Sequence, residues 1–211
     1  MKTKNVLLIA VLITIMLAVP SLAVTLEDLP ESFTFRGYDW GTPVEEIKGK
    51  EITPDMVFYN DYFHDEDSHI FVVKAKVSTL NALANFCCDE DDMLQYGVYK
   101  LNEVHSYPIE YYNDYVTITE LLTSKYGDPI TQVNVGFENN EDISGLRPEE
   151  IINEITNNGA IAGNAWLAQD QSFIYCALGM SDGHCNTELY YFQSTEQADE
   201  TLLNTNNTEG L

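Results

Sequence analysis

The chain has 211 residues, 45% of them apolar, with 34 Asp and Glu against 10 Lys and Arg, a formal net charge of −24. That balance excludes nucleic acid and anionic lipid surfaces as partners, because both are bound through clustered Lys and Arg. The apolar fraction supports a real core at this length, so the acidity does not describe a disordered chain.

Met1-Lys2-Thr3-Lys4 precedes an apolar run over 6–19 and then Pro20-Ser21-Leu22-Ala23. A basic start, an apolar stretch short of the about 20 residues that span a bilayer, and small residues at Ser21 and Ala23 predict a signal peptide over 1–23. The mature protein is then expected to be secreted or extracytoplasmic, with no membrane insertion after cleavage. Loss of Lys2 and Lys4 leaves 8 basic against 34 acidic residues, a net charge of −26. Residues 24–193 read as a single α+β domain. Its sheet is antiparallel, with about six to seven short strands packed on one main helix and two shorter helices. Residues 194–211 read as a disordered polar tail.

After a polar lead-in over 24–32, Phe33, Phe35 and Trp40 are placed to pin the following segment to the core. Thr42 as N-cap, Pro43 at the first helical position and Glu45 at the third predict a capping box and a short helix ending near Gly49. Segments 55–63 and 70–77 are rich in aromatic and β-branched residues and read as strands. Between them, His64, Asp65, Glu66, Asp67 and His69 supply imidazole and carboxylate groups that can ligate zinc or a harder cation. Segments 81–88 and 93–101 read as a hairpin across Asp89, Glu90, Asp91 and Asp92. Four carboxylates in one turn can gather Ca2+, which prefers oxygen ligands. Neither turn matches a known ligand spacing, and both read more simply as solvated connections.

The main helix falls within 111–129. Tyr111, Tyr115, Ile118 and Leu122 follow the i, i+4, i+7, i+11 spacing of one helix face. Lys125 in the last turn complements the helix dipole, and Gly127 followed by Pro129 is a stop. Segment 130–137 alternates like a strand, and 147–155 reads as a helix with Ile151, Ile152 and Ile155 on one side and Gly159 as its end. Three strands follow over 164–169, 172–180 and 184–193, the last two joined through Asp182-Gly183, a strong hairpin signal. No internal repeat is visible.

The elements Phe35-Arg36-Gly37, Trp40-Gly41, Leu94-Gln95-Tyr96-Gly97-Val98-Tyr99 and Tyr126-Gly127-Asp128-Pro129 together resemble a group of uncharacterised secreted bacterial proteins. That group has an F-R-G-x-x-W-G start and a Y-G-x-P helix end. The resemblance spans most of the mature chain and implies an α+β fold and an exported location; it brings no catalytic residues. In architecture alone the chain is also similar to the helix-plus-sheet modules of secreted β-lactamase inhibitor proteins and of the SmpA-type outer-membrane assembly lipoprotein. Architecture of that kind implies no function.

Four cysteines in an exported chain raise the question of disulfides. A two-residue turn at Asp182-Gly183 sets Cys185 opposite Met180 and Cys176 opposite Leu189. The two thiols are then four residues apart along one face, roughly 13 Å, beyond the about 7 Å between Cα atoms that a disulfide allows. Cys87 and Cys88 point to opposite faces of one strand. The expectation is therefore either one core bridge, from Cys87 or Cys88 to Cys176 or Cys185, or four buried free thiols.

No nucleophile elbow, zincin helix, P-loop or dinucleotide glycine fingerprint is present. His184 and Cys185 are adjacent on a strand and face opposite ways. His105 near Glu103 is the remaining acid–base candidate, and it lacks the third orienting group that reactive constellations use. Tyr107, Tyr111, Tyr112 and Tyr115 gather at the main helix; Tyr111 and Tyr115 are assigned to the core, Tyr107 and Tyr112 to the surface. The leading functional reading is a secreted, non-catalytic binding module for a protein or envelope component. The alternatives are a calcium-assisted binding domain and a small secreted hydrolase with an unrecognised site.

Overall fold

A computed structural model describes residues 26–53, 59–63, 69–137, 143–181 and 183–198. The predicted signal peptide and most of the predicted tail lie outside these residues. A 3-10 turn at Leu26–Asp28 opens the described chain, followed by α1 (Val44–Glu51) and the strands β1 (Tyr59–Phe63), β2 (His69–Val77), β3 (Leu80–Cys88) and β4 (Leu94–Leu101). Next come α2 (Pro108–Tyr126), β5 (Thr131–Gln132), α3 (Pro148–Asn158), β6 (Ala162–Leu167), β7 (Phe173–Ser181) and β8 (His184–Phe192). No described helix is long and apolar enough to cross a membrane.

All eight strands form one antiparallel sheet in the order β1-β2-β3-β4-β8-β7-β6-β5. The mixed α+β architecture is as predicted; the strand count is eight in place of about six to seven, with β5 only two residues long. Two four-stranded meanders meet at β4 and β8, where Val98 pairs with Tyr190. Each meander follows a helix, α1 or α2, with α3 inserted after β5. The topology thus repeats although the sequence does not.

The helices and the N-terminal segment bury one sheet face. Phe71 and Val73, Ala84 and Phe86, Ile174, Cys176 and Leu178, and Leu189 and Tyr191 alternate onto it at the strand period of two, where they meet Ile118 and Leu122 of α2 and Ile151 and Ile155 of α3. On the other face Phe173, Tyr175 and Phe192 form a second buried cluster with Ala198. Residues 195–198 make a helical turn, and Ala198 is fully buried. The expectation of a polar tail from 194 onward is corrected for these residues, because one small apolar side chain is enough to seat a turn.

The segment after the 3-10 turn is a strap across both halves of the sheet. It starts at the β6–β7 connection, where Gln169 N donates to Pro30 O at 2.9 Å and Phe33 N to Ser172 Oγ at 2.7 Å. Phe33 meets the Tyr126 ring edge-on at 4.9 Å. Phe35 then lies over β4, where a Cβ on Gly97 would fall 2.1 Å from its ring. Only glycine admits that approach, which ties Phe35-Arg36-Gly37 to the Gly97 of β4. Arg36 and Gly37, at φ 55° and 81°, turn the strap back so that Tyr38 N reaches Phe35 O at 3.0 Å. A bidentate pair with Glu51 (Nε to Oε1 3.0 Å, Nη2 to Oε2 2.8 Å) holds Arg36 and fastens this turn to the end of α1.

Helix boundaries shift from the predicted ones for local reasons. The capping box at Thr42 is not formed: its hydroxyl donates to Asp39 O at 2.6 Å, Pro43 takes the cap position, and α1 runs past Gly49 to Glu51. Helix α2 begins at Pro108, before the apolar stripe, because Glu110 accepts from Tyr107 N at 3.1 Å. It ends before Gly127, whose carbonyl accepts from Trp166 Nε1 at 2.9 Å. In α3 the Ile151, Ile152 and Ile155 stripe is buried as predicted.

All four cysteines are free and buried. Across the last hairpin Cys176 pairs with Leu189 and Cys185 with Met180. The expected bridge from Cys87 or Cys88 to Cys176 or Cys185 is not formed. In this strand order β3 is two places from β8 and three from β7. Strand spacing sets those separations at roughly 10 and 14 Å, beyond the about 7 Å a disulfide permits.

Candidate functional site

The sequence candidates come first. Asp89 is used as a turn cap: its Oδ1 accepts from Asp91 N at 3.0 Å and Met93 N at 2.9 Å, and its Oδ2 from Gln95 Nε2 at 2.6 Å. Glu90 and Asp91 are exposed. Asp92 reaches His69, with Oδ1 and Nδ1 2.5 Å apart, and His69 is buried. The structure therefore joins one residue from each acidic turn, because the β2–β3 register sets His69 opposite Cys88. His64 lies outside the described residues. Among the described residues no group of three or more His, Cys, Asp or Glu side chains is arranged to hold a metal ion.

His105 pairs with Asp114 (Nε2 to Oδ2 2.6 Å) rather than with Glu103, which accepts from Asn81 N and Nδ2 at 2.6 and 3.0 Å. The His105 ring stands edge-on to Tyr111 at 4.8 Å, and its backbone N donates to the Tyr111 hydroxyl at 3.3 Å. These contacts fasten the β4–α2 connection to the first turns of α2. Asp114 was a readable signal: it is a carboxylate on the apolar stripe, three residues from Tyr111 and four from Ile118, and such a group needs a partner. His184 is exposed and Cys185 buried, so the two face apart as expected.

A polar-lined concavity lies elsewhere, between α2, the β5–β6 edge and the segment leading into α3. It encloses about 240 Å³. Helix α2 contributes Tyr112, Tyr115, Val116, Thr119 and Glu120. The spacing 112, 115/116, 119/120 keeps these on one side of the helix, next to the stripe that meets the sheet. The sheet contributes Gln132, Asn134 and Asn164, and Ile143, Ser144 and Leu146 close the far wall.

Its polarity is unusual for space under a helix. Asn134 and Asn164 are 3% and 7% exposed. Asn164 Nδ2 donates to the Tyr115 hydroxyl at 2.6 Å. Burial pushes the Tyr115 phenol far above its ordinary range, so it keeps its proton. The Thr119 hydroxyl is close enough to Tyr115 and Cys176 to bear on their ionisation, yet it makes no hydrogen bond of ordinary geometry and is buried. Burial raises the Cys176 thiol to about 12, with Thr119 acting in the opposite sense, so this sulfur is a neutral packing group and no nucleophile. Glu120 is the only charged side chain lining the space among the described residues, and it is exposed.

Of the aromatic cluster, Tyr107 is exposed, Tyr111 and Tyr112 are half-buried and Tyr115 is buried. Thr119, Gln132, Asn134 and Asn164 were not singled out by the sequence. Asn164 sits between Ala162 and Trp166 at inward positions of β6, so a polar residue in apolar phase was its signal. Comparison of the chain with family models, curated proteins and solved structures finds no match in any of the three.

Proposed function

We propose that this chain is an exported, non-catalytic binding module whose ligand, a protein or envelope component, is engaged at the cleft between α2 and the β5–β6 edge. The observation that carries this reading is the buried Thr119 hydroxyl without a hydrogen-bond partner, in a solvent-reaching space also lined by buried Asn134 and Asn164. An unsatisfied buried hydroxyl costs about 1–3 kcal/mol. An apolar side chain would avoid that cost, and a bound partner that completes the hydrogen bond offsets it. Exported location rests on the basic-apolar-small pattern of residues 1–23 and on the resemblance to secreted proteins.

The test is nuclear magnetic resonance on 15N-labelled protein, titrated with envelope and secreted fractions of its host in parallel with calcium and with EDTA. Saturable shifts concentrated at Tyr112, Thr119, Asn134 and Asn164 in both arms are expected. Shifts confined to the Asp89–Asp92 turn and present only with calcium would replace this reading with the calcium-assisted one. An unchanged spectrum in both arms would remove the cleft as a binding site.

A further inference from the structure

We infer that the cleft takes one neutral, hydroxylated six-membered ring, a single sugar residue. This rests on the cleft being the binding site and adds the class of ligand.

Size, charge and hydrogen-bond chemistry each narrow the choice. A volume of about 240 Å³ falls below the roughly 300–1,000 Å³ of sites for drug-sized ligands, a size for a single ring. Among the described residues the single lining charge is the Glu120 carboxylate, in a chain of net charge −24. A phosphate or carboxylate ligand would meet repulsion and no cation.

The polar groups then decide between neutral and cationic ligands. Tyr115 accepts from Asn164 and retains its own O–H to donate. The Asn164 amide has a carbonyl oxygen beside its donor, and the Thr119 hydroxyl can both donate and accept. An ammonium group only donates and would leave the Tyr115 proton unanswered. A sugar hydroxyl donates and accepts at once, matching a lining in which both roles alternate over a few ångströms. The half-buried Tyr112 ring and Val116 supply an apolar wall for the C–H face of such a ring.

The experiment titrates the labelled full chain with glucose, galactose and N-acetylglucosamine, and in a second arm with cellobiose, lactose and chitobiose. At least one sugar is expected to shift Thr119, Tyr112 and the Asn164 side-chain amide saturably. Tighter binding of the disaccharide assigns the ligand to the end of a glycan, and equal binding to free sugar. Thr119→Val keeps shape and removes the hydroxyl, so the melting temperature should hold while affinity falls about tenfold, the loss of one hydrogen bond; Thr119→Ser should restore it. Gln132→Ala, at an exposed position on the rim, should weaken binding without touching the core. Unchanged affinity in both variants, or no shift with any of the six sugars, overturns the sugar assignment. If the sugars fail while envelope fractions still shift the cleft, the binding-module reading stands without it; if both fail, neither survives.

Discussion

Over β3 and β4 the covered sheet face is filled by rings. Phe35 meets Phe86 at 5.1 Å, Tyr99 at 4.9 Å and Tyr191 at 5.6 Å, and Gly97 recedes to let it in. Over β5 and β6 the corresponding surface offers Asn134, Asn164 and Ala162, with the Thr119 hydroxyl facing them, and an opening remains. Both halves are helix-then-meander, so topology does not account for the difference. Side-chain volume does: an aromatic strap closes one half, while short polar residues keep the other open. Buried polar atoms without a partner occur in both halves, Trp40 Nε1 in one and the Thr119 hydroxyl in the other, so the open space and not the unpaired group sets the halves apart.

Breaking the filled half should have the largest effect. Phe35→Ala removes a fully buried ring wedged against β3, β4 and β8, and truncations of this kind cost about 3–5 kcal/mol. Urea denaturation should show the midpoint falling with little change in slope. A loss below about 1 kcal/mol would mean that the strap does not organise this half.

Alkaline pH should come next. Burial raises Cys87, Cys88 and Cys176 to about 12, from an ordinary value near 9. Above pH 9 the unfolded chain releases thiol protons that the folded chain keeps, so their contribution is complete below pH 9 and is lost as pH rises toward about 12. Stability measured from pH 8 to 11 should decline, and replacing Cys87 and Cys176 by Ala should flatten that decline. The native thiols should also resist alkylation at pH 8 and react when the chain is denatured; rapid labelling of the folded protein would contradict the burial described above.

A smaller effect is expected at the seam between α2 and β6. Trp166→Phe keeps most of the ring and removes the donor to the Gly127 carbonyl, a loss of about 1–2 kcal/mol by thermal or chemical unfolding. The smallest change belongs to the open half: Thr119→Val should leave stability level or slightly raised, because it replaces an unpaired hydroxyl by a methyl group. A clear destabilisation would show that Thr119 serves the fold, and the contrast between the halves would lose its functional meaning.

Local pattern was legible wherever a segment's own periodicity carried it. The stripe of Tyr115, Ile118 and Leu122, the isoleucines of α3 and the strands β2, β3, β7 and β8 all fall, within a residue or so, where the residues put them. The register of the last hairpin followed from turn length, down to Cys176 opposite Leu189. Capping at α1 was misread, because Thr42 had a competing acceptor in the Asp39 carbonyl that residue type does not reveal. The partner of His105 was missed because a helix had to begin at Pro108 before Asp114 could turn back toward it.

By itself, then, the sequence determined the elements, their buried faces and the strong net negative charge, since each depends on neighbours a few residues apart. Only the tertiary structure decided that β4 meets β8, that the cysteines are held apart, and that Thr119, Asn134 and Asn164 share one space. Those outcomes depend on residues from 15 (Thr119 and Asn134) to 96 (Tyr96 and Phe192) positions apart in the chain. They follow from which surfaces fit when the elements pack, and no single segment carries that information.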